Sequence, residues 1–435
     1  MKLSILILLF LIGPVYAVDS AVVTASYTLE TALQRTETHS PLAQSFTYHK
    51  IQAEAGIEGA GALNNSIWGV ELRTFGGRIE RQRNELADPS LPSPKYDDLE
   101  EALYDTDTHG VAASGRIGFT KLIWDGGLTA ASVREKQAQY DVVKWDYHIQ
   151  LLAQKKRLIS LYFSYQTLRD QLDLLRYKRD NLSQLISEKA PQKKMDSNAQ
   201  ELLFKRNVLE YEESLFLLSQ VEQDVDNVRS QLLELLGHSL DVDVSFDPIT
   251  RGKIKNTSQN IRLISPEERR VTAEYNRMVS YLDQLHAKRT WKARFNGYYM
   301  YAVASTKETV GEIQVNFPIK HNGVVRAEIK AVEAKIKLLE MEMGRVRSQQ
   351  DIKRHRLKVA IDVMNNQLTL THRRRLLADQ EWEIKETSFK QGLTAFEDAF
   401  NSESVYREAI FLFKKIKFQY LENVYYYNEL IKGAL

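Results

Sequence analysis

One junction occurs twice in this chain and constrains the fold more than any other feature. Each time an alternating strand pattern ends at a glycine-containing turn, and a long helical pattern follows: "FTKLIWDGGLTAASVREKQ" begins at Phe119 and "VNFPIKHNGVVRAEIKAVEAK" begins at Val315. The turns contain Asp125, Gly126 and Gly127 in the first copy and Asn322 and Gly323 in the second. Asp-Gly and Asn-Gly accept the positive φ that a sharp corner needs. Asp125-Gly126 is also typical of a β-hairpin turn, but the recurrence before a second long helix favours a strand-to-helix junction.

The two junctions belong to an internal duplication. Three landmark pairs keep nearly the same separation of 198, 197 and 196 residues: Phe119 with Phe317, Gly126 with Gly323, and Gly237 with Gly433. A steady offset of this kind is typical of a duplicated unit. The sequence therefore predicts a first repeat over residues 18–237, an inter-repeat equatorial segment over 238–263, and a second repeat over 264–435.

Each repeat is predicted to contain two strands and two long helices. In the first long helix, Leu158, Leu161, Tyr165 and Leu168 follow the three-four spacing of a heptad seam. At 1.5 Å per residue, a helix of this kind is roughly 90 Å long. The predicted strands are at about residues 66–82, 109–124, 291–304 and 310–321. The predicted helices are at about residues 128–189, 196–236, 324–389 and 394–432.

A soluble coiled-coil rod is the commonest meaning of such heptads, but the strands disfavour it. In "VAASGRIGF", Ile117 and Phe119 share a face with Val111, whereas Arg116 lies on the other face. Alternation of this kind suits a transmembrane β-barrel. Four strands leave two bare edges, which cannot persist in hydrocarbon. Three copies would supply an even number of strands, twelve, together with twelve helices.

The N-terminal segment and the composition reduce the number of protein classes to which the chain could belong. Residues 1–17 have a basic residue, an apolar run and a small residue at the predicted cleavage position, as in a secretory signal peptide. The chain has no cysteine, which excludes disulfides and thiol nucleophiles. Its 59 basic and 57 acidic residues give a net charge of +2, which gives no support for nucleic-acid binding.

The order of several segments resembles the TolC family of outer-membrane efflux proteins, also called outer membrane factors. These segments are "YTLETALQRTETHSPL", "LIWDGG", "SFKQGLTAFEDAFNSESVYREA", and the closing "LLG" and "IKG". The resemblance implies a homotrimer with a twelve-stranded barrel in the outer membrane of a Gram-negative bacterium and a helical tunnel in the periplasm. It also implies two partners, a periplasmic adaptor (membrane fusion protein) and an inner-membrane transporter.

The resemblance further implies a pore constriction at the periplasmic helical turns. Counting from Gly392, Asp398 matches an acidic position that rings the tunnel in the family, whereas Asn401 departs from the second acidic position. The first turn has Ala190 and Pro191 where the family usually has glycine, with Asp196 six residues after Ala190. The alternative is that Asp398 and Glu397 stabilise the start of the returning helix through its dipole.

The sequence thus predicts a mainly helical protein with a β-barrel that conducts substrate passively in efflux or type I secretion. Two other classes remain open: a periplasmic adaptor, which also has long heptad hairpins, and a structural coiled-coil protein of the envelope. An enzyme is disfavoured because the nine histidines lack metal-ligand spacing and no phosphate-binding loop is present. No cofactor is predicted.

Overall fold

The protein is known here as a computed structural model, which describes residues 25–62, 65, 67–77, 110–189, 198–239, 244–249, 264–302, 307–316 and 323–434. This part of the chain is mainly helical, as predicted. The helices are α1 (Leu29–His39), α2 (Pro41–Ala62), α3 (Leu128–Lys189), α4 (Asn198–Leu236), α5 (Pro266–Ala287), α6 (Gly323–Lys390) and α7 (Phe396–Ala434). The strands are β1 (Ala25–Tyr27), β2 (Ile67–Gly77), β3 (Gly110–Trp124), β4 (Val244–Phe246), β5 (Lys292–Ala302) and β6 (Lys307–Asn316).

The chain divides into two compact units, and each is built from segments that are far apart in the sequence. Unit 1 consists of residues 1–44, 151–259 and 354–432. Unit 2 consists of residues 45–150, 260–353 and 433–435. Among the described helices, α2, α3, α6 and α7 each contribute residues to both units.

In unit 1, β1 and β4 form a small parallel sheet that covers the hydrophobic core. The Tyr162 side chain is fully buried, and its hydroxyl donates to the backbone carbonyls of Tyr27 and Asp247 at the end of that sheet. Because the phenol is hydrogen-bonded to a backbone carbonyl at the end of each strand, it holds the sheet against α3. Core residues of the same cluster include Leu29, Leu158, Ile159, Phe163, Leu232, Leu236, Phe246 and Leu421.

Charged side chains join three helices of unit 1 at a largely buried position. The Lys155 ammonium on α3 contacts the carboxylates of Glu37 on α1 and Glu429 on α7, the latter at 2.7 Å. Lys432 forms a second ion pair with Glu429. Lys155 and Glu429 are both buried. A buried charge needs a compensating partner, so this network depends on all of its members.

In unit 2, four antiparallel strands form one sheet in the order β2-β3-β5-β6. Residues that pair across it share a face, and Ile117 pairs with Tyr299 while Phe295 pairs with Ile313. The apolar side chains Ile117, Phe119, Phe295, Tyr299, Ile313 and Val315 therefore lie on one face, together with Lys121, which pairs with Phe295. The polar side chains Thr120, Lys292, Arg294, Asn296, Gln314 and Asn316 lie on the other face, together with Leu122.

Helix α5 packs against the first part of α6 in the same unit. Its start is capped by Ser265, whose side-chain oxygen accepts from the Glu268 amide at 3.1 Å, and Pro266 occupies the first turn. Val271, Met278 and Leu285 on α5 contact the seam Ile329, Val332 and Leu339 on α6. Among the described helices, none combines the length and apolar character needed to cross a membrane.

Candidate functional site

The turn between α6 and α7 is built around Gly392. The φ of Gly392 is 73°, its amide donates to the Phe389 carbonyl at 2.8 Å, and the Leu393 amide donates to the Ser388 carbonyl at 2.8 Å. This pair of bonds is a Schellman motif, which ends a helix by satisfying its last carbonyls and needs a left-handed residue. The glycine therefore sets where α6 stops and where the chain turns back.

Acidic side chains begin α7 immediately after this turn. Glu397 and Asp398 lie in the first helical turn, and the Asp398 amide donates to the Ala395 carbonyl at 3.1 Å. The side chains of Asp398 and Asn401 are exposed, whereas Glu397 is partly buried. Both carboxylates lie at the positive end of the helix dipole. In a single copy, the Asp398 carboxylate therefore faces solvent. Its position in the first turn also suits the dipole of α7.

Three residues predicted for the other helical turn, Ala190, Pro191 and Asp196, lie outside the described residues. Asn322 of the second junction lies outside them as well.

Behind the Gly392 turn, α3 and α7 are joined by a set of polar contacts that the sequence analysis missed. The Arg407 guanidinium lies 3.8 Å from the centre of the Tyr177 ring and forms an ion pair with Glu403 at 2.8 Å. Burial raises the pKa of the Tyr177 hydroxyl, and Glu403 raises it further, while Arg407 lowers it by less. The phenol therefore stays protonated at neutral pH.

Two ion pairs continue this connection away from the turn. Lys178 on α3 contacts Glu408 on α7, and Asp170 accepts from Lys414 at 2.6 Å. Exposed ion pairs of this kind are individually weak, about 0.5 kcal/mol each. Because the partners are more than 200 residues apart in the chain, no local pattern could have paired them.

The first predicted junction has the sharp corner expected of it. Gly126 and Gly127 have φ values of 68° and 87°, between the end of β3 and the start of α3. The Asp125 carboxylate accepts from the Gly127 amide at 2.9 Å and from the Thr129 amide at 2.6 Å. Burial alone would raise the pKa of Asp125, but these hydrogen bonds outweigh it and lower the pKa. Asp125 therefore stabilises the start of α3 as a carboxylate.

At the second predicted junction, Gly323 is the first residue of α6. Because Asn322 lies outside the described residues, the corner at Asn322-Gly323 stays a prediction. A Cβ at Gly323 would meet no atom within 4 Å, whereas a Cβ at Gly126 would lie 1.6 Å from the Thr290 hydroxyl oxygen.

Within the described segments, no three or more His, Asp or Glu side chains are grouped so that they could hold a metal ion. The polar clusters described above instead join helices or cap their ends.

Comparison with known proteins gives a likeness in structure alone. No protein-family model matches the sequence, and no curated protein matches it either. Among solved structures, the chain is similar to the Campylobacter jejuni CmeC outer membrane channel (TM-score 0.74, 11% identity, covering 94% of this chain and 86% of that one). It is also similar to the outer membrane protein VceC from Vibrio cholerae (TM-score 0.69, 11% identity, 93% and 96%).

A third similar structure is the open state of the Neisseria gonorrhoeae MtrE outer membrane channel (TM-score 0.68, 10% identity, covering 94% and 89%). These matches extend over nearly all of both chains, so they concern the complete fold and not one hairpin. The chain therefore has the fold of these outer-membrane channels, which is the TolC-like fold that the sequence resemblance implied.

Proposed function

We propose that this protein is a TolC-family outer-membrane channel, and that three copies form a twelve-stranded barrel continuous with a twelve-helix periplasmic tunnel. The channel conducts substrate passively from a periplasmic adaptor and an inner-membrane transporter to the exterior, as part of an efflux or type I secretion system. The fold shared with outer-membrane channels supports this assignment. Energy for export comes from the transporter.

The observation that carries the proposal is the four-stranded sheet of unit 2. One of its faces is mainly apolar and the other is mainly polar, and in the described residues its edge strands β2 and β6 each pair with one neighbour. A sheet with an apolar face suits lipid, but unpaired backbone amides and carbonyls do not. Joining β6 of one copy to β2 of the next satisfies both edges, and three copies close the barrel.

Aromatic side chains at one end of the sheet agree with this orientation. Trp124 and Trp291 stack with their ring centres 5.7 Å apart, and both are exposed. Tryptophan is enriched where hydrocarbon meets water. In the proposed barrel these two rings mark the membrane boundary next to the strand-to-helix junction.

Trimer formation is the first test of the proposal. We expect the protein to fractionate with the outer membrane and to migrate in an unheated gel as a trimer that heating converts to monomer. A periplasmic adaptor would not show this trimer that heating converts to monomer. If the protein purifies as a monomer that is freely soluble without detergent, the channel proposal is refuted.

The role of Asp398 is tested separately by conductance. Three copies of Asp398 around a narrow axis would form a negative ring that favours cations. In planar bilayers under a salt gradient, the Asp398→Asn trimer is expected to lose part of its cation preference, measured from the reversal potential. Glu397→Gln is the matched control, since it removes the same charge from the adjacent position. Equal ion selectivity in wild type and Asp398→Asn would refute the negative ring at Asp398 and would leave the channel proposal unaffected.

A further inference from the structure

Three cationic side chains lie at the junction end of the unit 2 sheet, near the stacked rings of Trp124 and Trp291. Lys121 lies on β3, and Lys288 and Arg289 lie in the turn between α5 and β5. All three side chains are exposed, and among the described residues none of them forms an ion pair. Exposed cations that lack partners and are grouped in one place attract a negatively charged ligand.

The two carboxylates that are nearest to these cations in the sequence already have partners. The Asp125 carboxylate accepts from two backbone amides at the start of α3, and Asp283 pairs with Arg134 at 2.9 Å. No Asp or Glu occurs in residues 108–124 or in residues 284–307. The junction end of β3 and β5 therefore carries a net positive charge.

The turn that contains Lys288 and Arg289 is held in place by hydrogen bonds and by packing. The backbone amides of Lys288 and Arg289 donate to carbonyls in the last turn of α5 at 2.9 and 3.0 Å. Thr290 packs against the first junction, since a Cβ on Gly126 would lie 1.6 Å from the Thr290 hydroxyl oxygen. The two cations are therefore fixed beside the corner that follows Trp124, and binding a ligand there needs little reorganisation of the backbone.

The pairing of β3 with β5 gives the order of these side chains along the sheet. Trp124 pairs with Ala293, whereas Lys121 pairs with Phe295, two residues further along β5. Lys121 therefore lies about 7 Å further from the junction than Trp124 does. Trp291 precedes Ala293 by two residues, on the side of the α5–β5 turn. The aromatic pair thus lies between Lys121 on one side and the cations of the turn on the other.

Lys121 occupies an unusual position for a charged residue. Among the described side chains of the apolar face, it is the only charged one. A cation on a lipid-facing surface extends its long side chain toward the headgroups. Tryptophan rings lie at the headgroup level as well. Cations therefore approach the level of the lipid phosphates from both sides of the aromatic pair.

We propose that this end of the sheet binds the headgroup phosphate of an anionic phospholipid in the periplasmic leaflet of the outer membrane. The site consists of Lys121, Lys288 and Arg289 together with the rings of Trp124 and Trp291. The inference rests on the proposed function, which places the junction at the periplasmic boundary of the membrane, and it names the lipid class held there. Three cations favour a lipid with net negative charge, such as phosphatidylglycerol or cardiolipin, over a zwitterionic one.

The dipole of α5 offers a purely structural role for two of these cations. Lys288 and Arg289 follow the C-terminus of α5, where positive charge is favourable. Lys121 lies within β3, so a helix dipole does not account for it. A role confined to the helix end would change the stability of unit 2 but not the choice of lipid, so the test must measure lipid preference.

Quenching of tryptophan emission by brominated lipids measures that preference in the full-length protein. A Trp68→Phe background leaves Trp124 and Trp291 as the tryptophans next to the sheet, since Trp145 and Trp382 lie on long helices. This reference protein is reconstituted into vesicles of brominated phosphatidylglycerol with unbrominated phosphatidylcholine, and into the reverse mixture. We expect phosphatidylglycerol to be favoured at the rings by at least about fivefold, since one basic residue near anionic lipid contributes about that factor.

Charge removal tests the three cations in the same background. Lys121→Gln, Lys288→Gln and Arg289→Gln are combined in one variant, which is expected to lose the preference for phosphatidylglycerol. Lys121→Arg, Lys288→Arg and Arg289→Lys form a second variant, which keeps the charges and is expected to keep the preference. Higher salt is expected to reduce the preference in the reference protein, because it screens the attraction between the cations and the phosphates.

The matched control replaces Lys50, Lys205 and Arg206 by Gln. These residues are exposed on α2 and α4, and each forms an ion pair with a carboxylate of its own helix. The control therefore changes the net charge by the same amount and is expected to keep the lipid preference. Circular dichroism and native mass spectrometry establish that each variant keeps its helix content and its trimer.

The outcomes separate this inference from the channel proposal. If both lipids quench the reference protein equally, the anionic-lipid site is overturned and the channel proposal stands. The site is also overturned if the charge-removed variant keeps the full preference, or if the control loses as much of it. If neither brominated lipid quenches the rings, this end of the sheet lies outside the membrane, and both proposals are overturned.

Discussion

Gly126→Ala is expected to destabilise the first strand-to-helix junction by about 2 to 5 kcal/mol. Gly126 has φ 68°, where an alanine side chain is strained by about 1 to 2 kcal/mol. The added Cβ would also lie 1.6 Å from the Thr290 hydroxyl oxygen and 2.8 Å from the Thr290 Cβ. Overpacking of this kind adds about 1 to 3 kcal/mol. Hydrogen exchange of residues 119–131, with thermal unfolding by circular dichroism, measures the loss.

Gly127→Ala separates the two causes. Gly127 has an equally unusual φ of 87°, but its added Cβ would meet no atom within 4 Å. This control is expected to show only the backbone strain, about 1 to 2 kcal/mol. Adding Thr290→Gly to Gly126→Ala is expected to recover the steric part of the loss. Equal destabilisation by the two alanine variants would mean that the approach of Thr290 to Gly126 has no energetic consequence.

Lys155→Met is expected to destabilise unit 1 by about 3 kcal/mol, because it leaves the Glu37 and Glu429 carboxylates facing each other without their shared cation. The side chains of Lys155 and Glu429 are 10% and 3% exposed, so solvent cannot replace the cation at Glu429, whereas the Glu37 side chain is 45% exposed and stays hydrated. Lys432 still pairs with Glu429, which limits the loss. Denaturant unfolding followed by hydrogen exchange in α1, α3 and α7 measures the change.

The same network predicts how stability depends on pH. Burial alone would lower the pKa of Lys155, but its two carboxylate partners raise it above 10.5. Burial alone would raise the pKa of Glu429, but Lys155 and Lys432 lower it below 4.5. The lysine's contribution is complete below pH 10.5 and is lost as pH rises through its higher folded-state pKa. The glutamate's contribution is complete above pH 4.5 and is lost as pH falls through its lower folded-state pKa.

Wild type is thus expected to gain the full benefit of the network between about pH 4.5 and 10.5, and Lys155→Met to show a smaller decline beyond those limits. Lys50→Met is the control, since its pair with Glu54 is exposed, and it should change stability by less than about 0.5 kcal/mol. Replacing Glu429 as well, by Leu, is expected to recover part of the loss from Lys155→Met. A cost for Lys155→Met no larger than that of the control would show that the buried ion pair is dispensable.

The mainly helical character could be predicted from local patterns, and the TolC-like fold was implied by the family resemblance. Heptad spacing from Leu158 onward indicates a helix, since each apolar residue repeats with the helical period, and Asp125-Gly126-Gly127 indicates a corner, since only glycine accepts such φ values readily. The corner at Asn322-Gly323 stays a prediction, because Asn322 lies outside the described residues and Gly323 is already the first residue of α6.

Pairing between distant residues could not be predicted. Arg407 lies over Tyr177, and Lys155 lies between Glu37 and Glu429, yet each partner occupies an ordinary helical position in the sequence. The same holds for the contacts of α3 with α4 and α7, and of α6 with α7. A heptad seam predicts that a helix packs against another helix, but it does not identify that helix.

By itself, therefore, the sequence determined the type of the elements and indicated the corner at Asp125-Gly126, because period and backbone freedom are properties of neighbouring residues. Only the tertiary structure decided which helices adjoin, that Thr290 closes against Gly126, and that Lys155 lies between Glu37 and Glu429. These features depend on residues that approach one another through folding, since their separation in the chain carries no signal of their proximity.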